Sequence, residues 1–370
     1  GFDIDTGKSF SSASTNFSNE FGLYLTELAK RDERICAITA AMKYGTGLNH
    51  FSRAFGQQGR FFDVGIAEGC AVSMAAGMAK QGAIPVFAVY SSFLQRAYDM
   101  LIHDVAIDKL HVVLGVDRAG LVGEDGATHH GVFDLAAMLP VPGLTIASPM
   151  DEVELRNLMF TAASGEGPFV IRYPRGNGVT RDWRRPMETL PLGRGRILRE
   201  GKDLALLTIG PAGNDAAWAA EQAAGEGISV LHADLRFAKP LDEGLLHRIG
   251  REFRRVITVE DGVVNGGVGA AVLAFMNRHG YPCRITMLGV EDRFVAHGTV
   301  AQLKEMCGYD APGILRAIRE AGAERLTSPI DGRVTEQADT ADGPDTDCAV
   351  YPFRNGIKSP GQERNETKQD

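Results

Sequence analysis

Short β-branched runs alternate with longer stretches of helical periodicity along most of the chain, and this alternation limits the available folds more than any other feature. An apolar run bounded by turn signals fits a strand covered on both faces, and the amphipathic stretches between such runs supply the covering helices. RICAITA over 34–40, IPVFAVY over 84–90, HVVLGV over 111–116, GLTIA over 143–147 and PFVIR over 168–172 read as buried strands. With helical stretches over 18–31, 67–81, 92–107 and 151–163, they form an α/β domain with a mainly parallel sheet. The charged stretch TRDWRRPMETLPLGRGRILREGKD interrupts the pattern. DLALLTIG, ISVLHAD, RRVITVED and PCRITMLG then restart it, with helical stretches near 212–225, 240–252 and 266–279. The expected fold class is α/β: two successive three-layer domains with mainly parallel sheets, over 15–177 and 201–325, joined by a linker over 178–200. A lead-in over 1–14 precedes them, and residues 326–370, rich in Asp, Glu, Thr, Gly and Pro and without periodicity, are expected to be disordered.

At 370 residues the chain can fill two cores. Its 44% apolar and 23% charged residues fit a soluble globular protein, and no apolar run is long enough to cross a bilayer. The net charge is −8, and residues 326–370, with five basic and nine acidic side chains, contribute about half of it. Neither a membrane nor a nucleic acid is an expected partner. The five cysteines, Cys36, Cys70, Cys283, Cys307 and Cys348, are scattered and form no CxxC pair, which fits reduced thiols. The first residues, GFDIDTGKSF, carry no signal-peptide features and begin with Gly rather than Met, so a cytoplasmic protein and a processed or excised piece are expected. The glycine clusters DRAGLVGEDG and EDGVVNGGVGAA follow strands but lack the spacing of a dinucleotide fingerprint or a P-loop.

Chemistry concentrates in four segments. In DVGIAEGCAV, Glu68 opens a helix of small residues. A carboxylate there can simply complement the helix dipole, but Ala67, Ala71, Val72, Ala75 and Ala76 offer it little solvation. If buried, it needs a hydrogen-bonding partner or holds its proton more tightly, and such a carboxyl can share a proton with a ligand nitrogen. In VYSSFLQRAYDMLIHDVAI, Tyr90 ends a strand and Ser91, Ser92 and Phe93 lead into a helix, where an open α/β sheet places ligand contacts. Phe93 also suits a core position, and Arg96, His103 and Asp104 suit a polar helix face. In DRAGLVGEDGATHHGVFD, Gly120, Gly123 and Gly126 allow tight turns beside Arg118, Asp125, His129 and His130, which fit polar substrate contacts better than a metal site. In IRYPRGNG, Arg172 and Arg175 flank Tyr-Pro at a strand end, and a guanidinium there matches a phosphate as well as it suits the surface. Arg118 and Arg175 each follow a strand, so both fall on one edge of a parallel sheet.

Taken in order, these four segments resemble the successive signatures of the 1-deoxy-D-xylulose-5-phosphate synthases of the transketolase superfamily, collinear from about residue 15 to 320. The resemblance covers that family's pyrimidine-binding and C-terminal domains; the N-terminal domain, which holds a diphosphate through Mg²⁺, has no counterpart in this sequence. It implies thiamine diphosphate as cofactor, with Glu68 on N1′ of the aminopyrimidine, Phe93 stacked on that ring and Ile66 beside it. It further implies that Tyr90, Arg96, Arg118, Asp125 and Arg175 line an acceptor pocket in which the arginines take the phosphate of glyceraldehyde 3-phosphate, and that His129 lies near the reacting centre. The implied reaction condenses pyruvate with that aldehyde with loss of CO₂, and feeds isoprenoid, thiamine and pyridoxal synthesis. No metal ligand is expected within this chain. Pairing as a homodimer, or as a heteromer with a diphosphate-binding subunit, follows from the same resemblance.

The sequence departs from the family pattern at Gly69-Cys70, where Gln-His usually follows the glutamate. Two other readings stand beside the synthase: a transketolase-type or 2-oxoacid dehydrogenase β-type subunit, and a degenerate homologue with a non-catalytic role.

Overall fold

The computed structural model describes residues 16–180 and 184–323. The expected lead-in over 1–14 and the expected disordered tail over 326–370 lie outside the described residues. Within them the chain forms two mainly parallel sheets flanked by helices. In chain order the strands are β1 (Ile35–Thr39), β2 (Phe61–Asp63), β3 (Ile84–Tyr90), β4 (Val113–Asp117), β5 (Thr145–Ala147), β6 (Phe169–Arg172), β7 (Arg196–Arg199), β8 (Leu204–Thr208), β9 (Val230–Asp234), β10 (Phe237–Lys239), β11 (Arg255–Val263) and β12 (Arg284–Val290). The first sheet runs β10-β5-β6-β4-β3-β1-β2 and the second β12-β11-β8-β9-β7. Every neighbouring pair is parallel except β10 with β5 and β7 with β9. Strands β1, β4, β8 and β9 are buried along their whole length, which is why they read as unbroken apolar runs rather than as alternating ones.

The order of the first sheet positions the site. Strand β1 lies between β2 and β3, so the chain leaves it first to one side and then, through the helix Glu68–Lys80, crosses to the other. That reversal opens a crevice beyond the carboxyl ends of β1 and β3, where ligands of open α/β sheets lie. Glu68, the first residue of the crossing helix, stands at its edge.

Three features differ from the sequence reading. Strand β10 comes from the second half of the chain yet adds an antiparallel edge to the first sheet, with Phe237 fully buried and edge-on to Phe169. At three residues it is too short to show a period. The helix expected over 92–107 is segmented into a helical turn at Ser91–Leu94, a 3-10 turn at Gln95–Ala97, a short turn at Tyr98–Met100 and a π-helical stretch at Leu101–Ala106. Arg172, read as a candidate phosphate ligand, is buried between the sheets instead. Its Nε donates to Asp134 Oδ2 at 2.9 Å and its Nη1 to Asp261 Oδ1 at 2.5 Å.

Burial works against the Arg172 charge, but the two aspartates more than offset it, and the guanidinium stays well above its ordinary pKa. Asp134 precedes β5 and Asp261 lies in β11, so this ion group joins the two halves of the molecule. Apolar contact is continuous across the same junction, since Ile38, Phe87 and Leu114 share one core cluster with Leu207, Leu231 and Val256. Next to Asp261, the buried Glu260 accepts from the backbone N–H of Val268 at 2.9 Å and of Gly269 at 2.8 Å, capping the helix Val268–Arg278. Burial nevertheless raises its pKa from 4.5 to about 7, with those two N–H groups and Arg172 pulling the other way.

Removing one partner of a buried ion group leaves an uncompensated charge, so Arg172→Met should cost about 3–5 kcal/mol in urea unfolding. Arg248→Ala, which removes exposed, solvent-screened pairs with Glu200 and Glu252, should cost far less. Glu260 has a folded pKa above its unfolded one, so its contribution is fully present below about pH 4.5 and is lost as the pH rises through about 7. Glu260→Gln takes up no proton there. The stability advantage of the native protein over this variant should therefore grow, by up to about 3 kcal/mol, on going from mildly alkaline to mildly acid buffer, as thermal unfolding would measure.

Candidate functional site

The turn between β2 and the crossing helix is set by Asp63, whose Oδ1 accepts from the N–H of Ala41 at 2.8 Å and of Gly65 at 3.1 Å. The chain then presents Ile66, 79% exposed, and buries Glu68, 2% exposed, two residues later. Ala71, Val72, Ala75 and Ala76 form the apolar wall behind the carboxylate. Its Oε1 accepts from Arg96 Nη1 at 2.6 Å, and Arg96 reaches it from the 3-10 turn over a side chain that is itself half-exposed. The buried acid therefore has a hydrogen-bonding partner, as its setting requires.

Aromatic contacts carry the site onward from Arg96. Its guanidinium carbon lies 4.9 Å from the centre of the Phe93 ring, and Phe93 stacks on Tyr90 with centroids 5.7 Å apart. His129 meets Phe93 edge-on at 5.3 Å and shares a 2.9 Å hydrogen bond with Thr128. The Arg118 guanidinium lies 3.6 Å from the centre of the Tyr90 ring and donates through Nη1 to Gly45 O at 3.0 Å and Asp117 Oδ1 at 3.2 Å. Burial raises the Tyr90 phenol above its ordinary range and pushes Asp117 up to about 6.

Arg118 and Arg175 line one polar cavity of about 420 Å³ together with Asn19, Tyr44, Asn49 and Asn177. Arg175 Nη1 also donates to Asp125 Oδ2 at 2.6 Å in a pair exposed on both sides. The structure thus brings Glu68, Tyr90, Phe93, Arg96, Arg118 and His129 into one line of contacts, with Asp125 joined through Arg175. His103 and Asp104 lie outside that line, bonded to Asp99 and Ser73 on an exposed face.

His130 and Gly45 have roles that the sequence reading missed. His130 is buried; its Nδ1 accepts from the Val122 N–H at 3.1 Å and its Nε2 donates to Ala296 O at 3.1 Å, so it ties the glycine loop to the second half of the chain. Gly45 lies against the Tyr90 hydroxyl, and a Cβ there would overlap it. The signal available for the latter was the Gly45-Thr46-Gly47 sequence soon after β1, with Gly47 at φ 73°. Among the described residues, no group of three or more His, Cys, Asp or Glu side chains is arranged to hold a metal ion. No helix among them is long and apolar enough to cross a membrane.

Comparison with known proteins places these features in a family. Residues 13–180 match the family described as transketolase, pyrimidine binding domain, and residues 193–314 that described as transketolase, C-terminal domain. The 1-deoxy-D-xylulose-5-phosphate synthase of Parabacteroides distasonis is 53% identical over 305 residues, covering 82% of this chain and 48% of that protein. The synthase of Bacteroides fragilis is 54% identical over 317 residues, covering 85% and 48%. The chain therefore spans about half the length of these curated relatives. Among solved structures, a split gene transketolase described as an inactive beta4 tetramer superposes with a TM-score of 0.73 at 30% identity, covering 84% of this chain and 98% of that one. The transketolase of Campylobacter jejuni shares the fold, with a TM-score of 0.69 at 18% identity, over 84% of this chain and 48% of that one. With both domains matched and nearly the whole of the split relative covered, the chain belongs to the transketolase family.

Proposed function

We propose that the chain is the C-terminal portion or subunit of a thiamine diphosphate-dependent transferase of the 1-deoxy-D-xylulose-5-phosphate synthase type, condensing pyruvate with glyceraldehyde 3-phosphate with loss of CO₂. The observation that carries this reading is the buried Glu68 carboxylate joined through Arg96 to the half-buried Phe93 ring. An acid and an aromatic face in an apolar wall fit an aminopyrimidine: the carboxyl exchanges a proton with a weakly basic ring nitrogen, and the ring supports its plane. The bound cofactor supplies the electron sink for the two-carbon unit. In this reading Arg96 orients Glu68, and Ile66 shields the same edge from water. Arg118 and Arg175 hold the acceptor phosphate, Tyr90 supports Arg118, Asp125 holds Arg175, and His129 sits where a proton can be passed near the reacting carbon.

In the same reading the diphosphate and its Mg²⁺ are held by another chain or domain. Pairing with a diphosphate-binding subunit, or homodimerisation, and a cytoplasmic location belong to the same proposal. Transketolase-type and 2-oxoacid dehydrogenase β-type activities are separated from it by a screen of donors and acceptors.

Combining the chain with a diphosphate-domain partner, thiamine diphosphate, Mg²⁺, pyruvate and glyceraldehyde 3-phosphate should release CO₂ and form the five-carbon sugar phosphate. A complex that assembles and stays silent would leave the non-catalytic homologue. In the active complex Glu68→Ala should lower turnover about 10³-fold while the melting temperature stays nearly constant, because the Arg96 side chain it releases is half-exposed.

A further inference from the structure

We infer that Asp117 is the positioning residue that holds Arg118 over the polar cavity, an inference that rests on the proposed reading of that cavity as an anion site. Arg118 has φ 59°, in the left-handed region that non-glycine residues rarely occupy. Such a conformation is strained for a residue with a Cβ and persists only where its surroundings over-determine it.

Three contacts do so here. The last pair of the β3–β4 register sets Tyr90 against Asp117, so the ring that receives the guanidinium and the acid that pairs with it are fixed side by side. The Ala119 N–H donates to Tyr173 O at 3.0 Å and pins the backbone just beyond the turn. Gly45 supplies both its carbonyl and, by lacking a Cβ, the room for the Tyr90 hydroxyl. Held this way, Arg118 spends Nη1 on Asp117 and Gly45, while its Nε and Nη2 make no hydrogen bond among the described residues. A guanidinium with one nitrogen anchored and two free is set for bidentate capture of a tetrahedral anion.

The hydrogen-bonding capacity of Asp117 is only partly satisfied. The residue is completely buried, and its Oδ2 has no hydrogen-bond partner. A carboxylate in that state is expensive unless a specific charge needs it. The groups that face it are Arg118, Ser18 from the helix Phe17–Ala29, Tyr173 beyond β6 and Tyr90 at the end of β3, so Arg118 is its cationic neighbour. Because burial raises Asp117 to about 6, protonation in mild acid should slacken its hold on the guanidinium.

The test follows Arg118 and the anion separately. Sulfate serves as the anion, since it does not itself titrate in this range, and the Arg118 Nε–H signal, identified by its loss in Arg118→Lys, reports how tightly the guanidinium is held. In the full chain at neutral pH, Asp117→Asn should speed exchange of that signal and weaken sulfate binding about 10-fold. In the native protein both should loosen as the pH falls through about 6, and in Asp117→Asn both should be flat there. Equal protection of the Arg118 signal in native protein and variant at every pH would overturn the inference. A signal that responds while sulfate affinity does not would uphold Asp117 as the residue that positions Arg118 and overturn the anion reading of the cavity. If Asp117→Asn does not fold, the pH series on the native protein decides alone: an Arg118 signal unchanged through pH 6 overturns the inference.

Discussion

The guanidinium of Arg172, closed between Asp134 and Asp261, is the constraint on which the site depends. It leaves the end of β6, and three residues further the same strand exit delivers Arg175 to the cavity. Its partner Asp261 also lies directly under Gly120, where a Cβ would collide with the carboxylate. The ion group therefore fixes two of the segments that make the cavity, the one after β4 and the one after β6, to β11 of the other sheet. Breaking such a group by removing one partner leaves an uncompensated buried charge, so the two sheets are tied at this point by more than apolar contact.

The second half of the chain contributes to the site by bracing it. Gly298 N–H donates to Gly123 O at 3.4 Å, His130 Nε2 donates to Ala296 O, and a Cβ on Gly126 would press against His297. A loop with glycines at φ 79°, 90° and 73° would be mobile on its own. Gripped along one side by residues 296–298, it becomes a rigid wall, which is the condition for holding Arg118 and His129 in place with little entropy left to lose on binding.

Much of this was legible in the sequence, for identifiable reasons. β1, β3, β4, β8 and β9 announced themselves because strands buried on both faces must be apolar throughout, and Glu68 stood out because an acid amid alanines is conspicuous. The line from Tyr90 to Arg118 and Arg175 followed from the rule that strand exits of a parallel sheet share an edge. What stayed hidden were the relations across the two halves. Nothing local distinguishes Arg172, buried in an ion group, from Arg175, facing solvent, three residues on; only the arrival of Asp261 from a distant strand does. β10 was hidden for the same reason, since its partner lies about ninety residues away and three residues carry no period.

The two arginines of the cavity also differ in kind, and the difference bears on how an anion would be selected. Arg118 is stacked, anchored and mostly shielded, so its geometry is fixed before anything binds. Arg175 is 40% exposed and paired with the equally exposed Asp125, an interaction that solvent screens to within about 1 kcal/mol. A dianionic phosphate, with more charge and better fork geometry than a single surface carboxylate, can draw Arg175 off Asp125 at little cost. A neutral or weakly charged acceptor cannot, because it offers Arg175 less than the partner it already has. If the cavity is the proposed anion site, the rigid arginine would set where the anion sits, and the exchangeable one would set how much charge an anion must carry to be held.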